Sequence, residues 1–269
     1  MSTEPSLLVD REGPTVVLTM NRPERRNALS LDMIVRMADA WDAIEADDGV
    51  RSALLTGAQG AYCVGGDMDA GWMSGKQSAN PSEAERRAAA DMSIVLRGLL
   101  ITKWLRKPIV AVVNGDCLGG GCEMLQQTDV RIAEEHARFG VPEARRGLIA
   151  GAGSTMRLKR QIPYAVAMEM LLTGRILDAE EALRWGLVTH VVPEGKGLAK
   201  GREIAAIIAA NAPLSVAASK ASLIETGWLP ESEALPIELG YAAKVTRSED
   251  AKEGMKAFVE KRTPRFTGK

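Results

Sequence analysis

Two carboxylates and two glycine clusters are the residues of this chain whose types and spacing could do chemistry. Residues 114–124 read NGDCLGGGCEM, three consecutive glycines (Gly119 to Gly121) with Glu123 close behind. They follow the apolar run Ile109-Val110-Ala111-Val112-Val113 and precede a stretch with helical character. A strand–glycine–helix junction leaves the first N–H groups of the helix unpaired, at the positive end of its dipole. Glycines let a ligand approach that backbone closely. The junction can therefore hold an anion, or an oxygen that becomes anionic during a reaction; it can equally be a tight turn packing a helix on a sheet. A second strand end with glycines, YCVGGDM at 62–68, repeats the arrangement, and two such N–H donors could clasp one carbonyl oxygen if the loops meet. A third segment, FGVPEARRGL, carries Glu143, 20 residues after Glu123 with DVRIA between them. Alone it reads as a solvated loop acid, but a strand out and a loop back would return it to Glu123. Two carboxylates beside an oxyanion hole are equipped to move protons at carbons next to a carbonyl. Close together in an apolar pocket they should not both ionise easily, so one pKa is expected to rise.

The elements that would position these residues follow from periodicity. TVVLTM (15–20), RSALLTG (51–57), Ile109 to Val113 and DVRIA (129–133) read as strands, and AYCVGGD (61–67) as a short glycine-ended segment. NRPERRNALS (21–30) is a loop ending at Ser30, a good N-cap, before Leu31, Ile34, Ala38, Trp41 and Ile44 repeat at helical spacing. Residues 83–106 are expected to be helical, stopped by Pro108. Further helices are expected around 123–127 and from Gly151 to Arg160, and His190 in LVTHVVP reads as a strand residue. Strands and helices alternate to about residue 195, which argues an α/β fold with parallel pairing. Beyond it the pattern is helical, with candidates at 201–211, 213–226, 232–247 and 249–260. The division is a core of residues 1–200 and a helical region of 201–269. No internal repeat shows plainly.

Other chemistries find little support. Lys+Arg 34 against Asp+Glu 35 argues against nucleic acid or a membrane surface as the main partner. No apolar run reaches the ~18 residues of a membrane span. MSTEPSLLVDREG lacks the pattern of a secretory signal, and the 3 cysteines suit a reducing cytosol, so a cytoplasmic location is expected. No cysteine sits in a zinc spacing, and no metal is expected. GAGST (151–155) places Met156 where a dinucleotide fingerprint needs its third glycine. SGKQS (74–78) lacks the P-loop's first glycine, and there is no G-x-S-x-G elbow. Cys122 reads as a small core residue. His136 and His190 receive no catalytic role.

Taken in order, NRPERRNALS, YCVGGDMD, KPIVAVVNGDCLGGGCEM, FGVPE, GAGST, AMEMLLTGRILDAEEALRWGLVTHVVP and DAKEGMKAFVEKR make nearly the whole chain resemble the enoyl-CoA hydratase/isomerase (crotonase) superfamily. The resemblance implies a spiral of ββα turns with a C-terminal helical region that builds a homotrimer or a dimer of trimers. It implies an oxyanion hole from the amides of Gly66 and Gly120, with Glu123 and Glu143 as the two hydratase glutamates. A 2-enoyl-CoA thioester would take up water held between them. Glu123 is favoured as activator of the water and Glu143 as proton donor to Cα, a split that sequence leaves open. No cofactor is expected, since the substrate carries its own coenzyme A. Alternatives are an isomerase or a hydratase of a bulky ring or sterol-derived acyl group. A non-catalytic RNA-binding scaffold is opposed by the charge balance and by retention of both acids.

Substrate contacts are expected from Arg25, Arg26 and Ala28 in the first loop, from Val64, Asp67, Met68 and Trp72 around the second, and from Phe258 and Lys261, which in the family reach a neighbouring subunit's ligand. Met73, Met92 and Leu96 are further candidates for the acyl pocket. Asp69 departs from the family where some hydratases carry a lysine for the CoA phosphates, so that grip must come from elsewhere. Arg25 and Arg26 are candidates, or a solvated basic pair. Ala150 replaces a proline, and Ser154-Thr155 follow, changes that could reshape the pocket floor. Gly120 is expected to be there for its amide and for open space above it, with a positive φ if the site uses one, so Gly121→Ala should be milder than Gly120→Val.

Overall fold

A computed structural model describes residues 4–70, 80–102 and 104–269. The chain opens with an antiparallel hairpin of β1 (Leu7–Glu12) and β2 (Thr15–Met20). Helix α1 (Leu31–Ala46) starts at Ser30, whose hydroxyl accepts the Met33 N–H at 3.2 Å. Next come β3 (Ser52–Gly57), β4 (Ala61–Cys63), α2 (Glu83–Ala90) and α3 (Met92–Gly98). The following turn of chain gives β5 (Ile109–Val113), β6 (Asp116–Leu118) and α4 (Gly120–Leu125). Then β7 (Val130–Glu134), β8 (Arg138–Gly140), a 3-10 turn Pro142–Arg146, α5 (Ser154–Gln161) and α6 (Tyr164–Thr173). The rest is β9 (Ile176–Asp178), α7 (Ala179–Arg184), β10 (His190–Val192), α8 (Gly197–Ala210), α9 (Pro213–Thr226), α10 (Glu231–Thr246) and α11 (Glu249–Val259).

Successive strands enter different sheets. The larger sheet has the order β1-β2-β3-β5-β7-β10 and is parallel from β2 onward. The smaller has the order β4-β6-β8-β9, with only β8 and β9 antiparallel. Each of β3–β4, β5–β6 and β7–β8 adds one strand to each sheet, so these pairs are three turns of one ββα spiral. Strand β5, IVAVV, is buried along its whole length, as a parallel strand covered on both faces must be. One side of the larger sheet packs into the main core with Met33, Ile34, Met37 and Trp41 of α1. The other side, through Val17, Leu54, Val110, Val112 and Ile132, is covered by α8. That helix lies close because Gly201 has no side chain: a Cβ there would stand 2.5 Å from Val112 Cγ2. The boundary drawn near residue 200 falls within α8. Among the described residues no single helix is long and apolar enough to cross a membrane.

Three expectations are corrected. Residues 83–106 are not one helix: Asp91 closes α2 in an extended conformation, φ −145° and ψ 97°, and caps α3 by accepting the Ser93 N–H at 2.9 Å. An aspartate that bonds its own downstream backbone competes with helix propagation. The helix expected around 123–127 begins at Gly120, because only Gly119 of the glycine run has a positive φ (53°) and serves as the cap. The helix expected from Gly151 begins at Ser154, after Gly153 at φ 126°. Strand β1 was not expected: only Leu7 is buried in it, and Val9 to Glu12 are exposed, so no alternation marks it.

Candidate active site

The parallel pairing of the smaller sheet brings the candidate residues together. Cys63 on β4 stands opposite Cys117 on β6, and both strands then run into glycines. Counting three residues on from that pair gives Gly66 and Gly120. Cys117 in turn stands opposite Phe139 on β8, and four residues beyond Phe139 is Glu143. Adjacent turns of the spiral thus deliver two backbone amides and one carboxylate to the same end of the sheet. Gly65, at φ 95°, lets the loops touch: a Cβ there would stand 3.1 Å from both the Gly120 nitrogen and the Leu118 oxygen. The Gly66 loop is held from its other side by Leu29, whose N–H donates to Gly65 O at 2.8 Å and whose carbonyl accepts the Asp67 N–H at 3.0 Å. Among the described residues neither the Gly66 nor the Gly120 amide donates to a main-chain acceptor. Both glycines line one cavity of about 600 Å³.

The two glutamates line the same cavity. Glu123 lies one turn into α4 and is only 4% exposed. Its Oε1 accepts the Ser154 N–H at 3.1 Å. Burial pushes its pKa up to about 7; the nearby Glu143 charge adds to the rise, and the Ser154 and Ala152 amides and the Ser154 hydroxyl oppose it. Glu143 reaches over Gly119, its Oε1 3.1 Å from where a Cβ on that glycine would sit. Its Oε2 is buried and has no hydrogen-bond partner among the described residues. Burial raises its pKa too, against a lowering by the Arg146 charge. Both acids are therefore raised, where one was expected.

Gly120 does not have a positive φ; that conformation falls on Gly65 and Gly119. The expectation that Gly121→Ala would be milder than Gly120→Val meets an obstacle: a Cβ on Gly121 would stand 2.4 Å from Cys63 O and 2.7 Å from Cys63 Cβ, because α4 packs directly on β4.

The remaining candidates divide into three groups. Val64, Met68 and Arg26 line the cavity. Together with Arg25, Ala28 and Asp67 they also line an adjoining hollow of about 270 Å³. Asp67 is buried and takes Arg22 at 2.8 Å and Arg25 at 3.0 Å. Burial opposes its charge, but the two guanidiniums outweigh that and hold its carboxyl below the usual range. Arg25 also pairs with Asp69, and Arg26 with Asp116. Both arginines are exposed to solvent, and each is also paired with an acid. Phe258 and Lys261 are absent from the lining of both cavities, and Phe258 is 85% exposed. Trp72 and Met73 lie outside the described residues.

The apolar wall is built by Val95, Leu99 and Ile101 from α3 and the segment after it, and by Leu148 and Ile149 beyond Glu143. Met92 and Leu96 do not line it. Met92 and Leu96 suit an apolar tail by residue type, but α3 turns Val95 to the cavity instead. Ser154, fully buried beneath Glu123, was legible only as a change of residue type.

The family model described as enoyl-CoA hydratase/isomerase matches residues 10–269. The chain is 44% identical over 262 residues to enoyl-CoA hydratase EchA19 of Mycobacterium tuberculosis, covering 97% of this chain and 96% of that one. It is 38% identical over 252 residues to (E)-benzylidenesuccinyl-CoA hydratase of Thauera aromatica, covering 93% and 94%. A solved structure from Mycobacterium abscessus superposes with a TM-score of 0.89 at 52% identity, covering 98% of this chain and 100% of that one.

Proposed function

Because this chain belongs to the enoyl-CoA hydratase/isomerase family, we propose that it adds water across the 2,3-double bond of a 2-enoyl-CoA thioester with a two-amide oxyanion hole and a pair of glutamates. The chain is an enoyl-CoA hydratase, and an acyl-CoA thioester is its substrate class. The mechanism proceeds from the geometry. The thioester oxygen lies between the amides of Gly66 and Gly120 and gains negative charge as the enolate forms. Removal of one such donor typically costs ~3 kcal/mol of transition-state stabilisation. Water sits between the two carboxyl groups. Glu123, as carboxylate, takes its proton while the oxygen attacks Cβ; Glu143, as acid, gives its proton to Cα. Proton exchange with solvent restores both.

The observation that carries this reading is the buried Oε2 of Glu143, without a partner among the described residues, in a cavity shared with Glu123 and both glycines. A buried polar atom left unpaired costs stability, and a catalytic proton is a reason to retain it. The test is Glu143→Gln. The variant should fold and bind CoA esters yet hydrate crotonyl-CoA at least ~100-fold more slowly, followed as loss of the enoyl thioester absorbance. A folded variant with near wild-type turnover refutes the two-carboxylate mechanism.

A second reading, a bulky acyl group as substrate, draws support from the size of the cavity and its apolar wall of Val95, Leu99, Ile101, Leu148 and Ile149. The Thauera aromatica relative is itself named for benzylidenesuccinyl-CoA. Comparing kcat/KM for crotonyl-CoA with that for longer and ring-bearing enoyl thioesters decides between the two.

A further inference from the structure

Behind Glu123, on the side away from the cavity, lies a buried polar chain. Gln126, one turn further along α4, donates through Nε2 to Ser154 Oγ at 2.7 Å and to Cys122 O at 3.1 Å. Its backbone carbonyl accepts Gln161 Nε2 at 2.7 Å and a guanidinium nitrogen of Arg131 at 3.1 Å. Arg131 also donates to Gln161 Oε1 at 2.9 Å. Ser154 and Gln126 are 0% and 2% exposed, so no bulk water competes for these groups. Both amide hydrogens of Gln126 are thus committed, one of them to Ser154. A serine oxygen that accepts in this way must turn its own hydrogen elsewhere. The neighbouring acceptor is the Glu123 carboxylate, already bound by the amide of the same serine at 3.1 Å.

We propose that Ser154, oriented by Gln126, is a positioning residue that holds the Glu123 carboxylate from behind through its hydroxyl as well as its amide, aiming the free oxygen at the cavity. The assignment rests on the reading of Glu123 as the base that activates water. The other groups around this carboxylate are accounted for. Glu143 acts across the cavity and raises the Glu123 pKa. Arg157 on α5, half-buried, is charge-coupled to Glu123 and donates to Ile101 O at 2.7 Å. The Cys63 and Cys117 thiols beside α4 are pushed up by burial and stay neutral. Arg146 faces Glu143. The Ala152 amide lowers the Glu123 pKa together with the Ser154 amide, and the Ser154 hydroxyl adds to that lowering.

The test compares Ser154→Ala, Ser154→Gly and Ser154→Thr with the wild type by two readouts. One is the pH profile of kcat/KM on crotonyl-CoA. The other is infrared titration of the Glu123 carboxyl band, assigned with Glu123→Gln, which needs no turnover. A hydrogen bond to a charged group is lost in the alanine and glycine variants. Their carboxyl titration and the acid limb of the profile should both move up by about one pH unit, lowering kcat/KM about five-fold at pH 7 with recovery by pH 9. The threonine variant keeps the hydroxyl and should titrate like the wild type. If alanine and glycine variants with wild-type circular dichroism titrate unchanged, the hydroxyl does not hold Glu123 and the proposal is overturned. If the infrared titration moves while the activity profile does not, the hydroxyl contact stands, and the role of Glu123 as base fails instead.

Discussion

Gly120 and Gly121 are neighbours in one helical turn, yet the structure assigns their missing side chains to different purposes, and alanine at each separates them. A Cβ on Gly121 would meet the Cys63 carbonyl oxygen at 2.4 Å and Cys63 Cβ at 2.7 Å. Both belong to the main chain or to the root of the side chain of β4, so no rotamer change relieves the clash; α4 must move off the strand. Overpacking of this kind costs about 1–3 kcal/mol, against which alanine recovers roughly 0.5–1 kcal/mol of helix propensity. For a chain of this size each lost kcal/mol lowers Tm by roughly 2–4 °C, so Gly121→Ala should melt several degrees low. A Cβ on Gly120 has one close neighbour, Leu29 Cδ1 at 3.2 Å, the far end of a side chain. Gly120→Ala should therefore melt within ~2 °C of the wild type, helped by the same propensity term. Its methyl would instead stand 3.8 Å from the Gly66 nitrogen, between the two proposed donors. With the oxyanion displaced, kcat should fall at least ~10-fold, part of what a lost donor costs. The assay is thermal melting by circular dichroism together with kcat and KM on crotonyl-CoA. Wild-type melting of Gly121→Ala, or full activity of a well-folded Gly120→Ala, would refute this division of labour.

Glu123 also predicts a pH-dependent stability. Its carboxyl is raised from 4.5 to about 7 on folding, with burial as the first cause. The folded state holds the proton more tightly, so the stability this group contributes is fully present below pH 4.5 and is lost as pH rises through about 7. Glu123→Gln removes the titration: it should melt like the wild type at pH 5 and several degrees higher at pH 8.5, and equal melting at both pH values would sink the argument. The C-terminal helices make the other prediction. Leu223, Trp228, Leu235, Leu239 and Phe258 lie on α9 to α11 or between them and are each more than half exposed. Closed association is the usual way to cover such a surface. Light scattering should give the mass of a trimer or of a dimer of trimers, and a stable 28.9 kDa monomer at micromolar concentration would refute it.

What was legible in the sequence follows from how each feature is built. The glycine run and the second glycine cluster stood out because each is a short string at the end of a strand, and strand ends are marked by composition; Glu143, alone a loop acid, was drawn in only by the strand that separates it from Glu123 and by the family pattern. The apolar wall was misread because Met92 and Leu96 fit an apolar tail by residue type, whereas the face turned to the cavity is that of Val95 and Leu99, which type alone does not select. Gln126 and Ser154 lie 28 positions apart and meet through the pitch of the spiral, which no local pattern records. The spiral itself left no visible repeat, and its register explains why. Cys63, Cys117 and Phe139 occupy matching places on β4, β6 and β8, but the strands are joined main chain to main chain, an interaction that every residue except proline can make in full. Side-chain identity is therefore free to differ from turn to turn while the spacing of the strand ends is kept. One turn can end in the glycines around Gly66, the next in the cap of α4, and the third in a proline-led turn bearing Glu143. Three unlike ends brought to one edge supply two amides and an acid, which three copies of a single end would not.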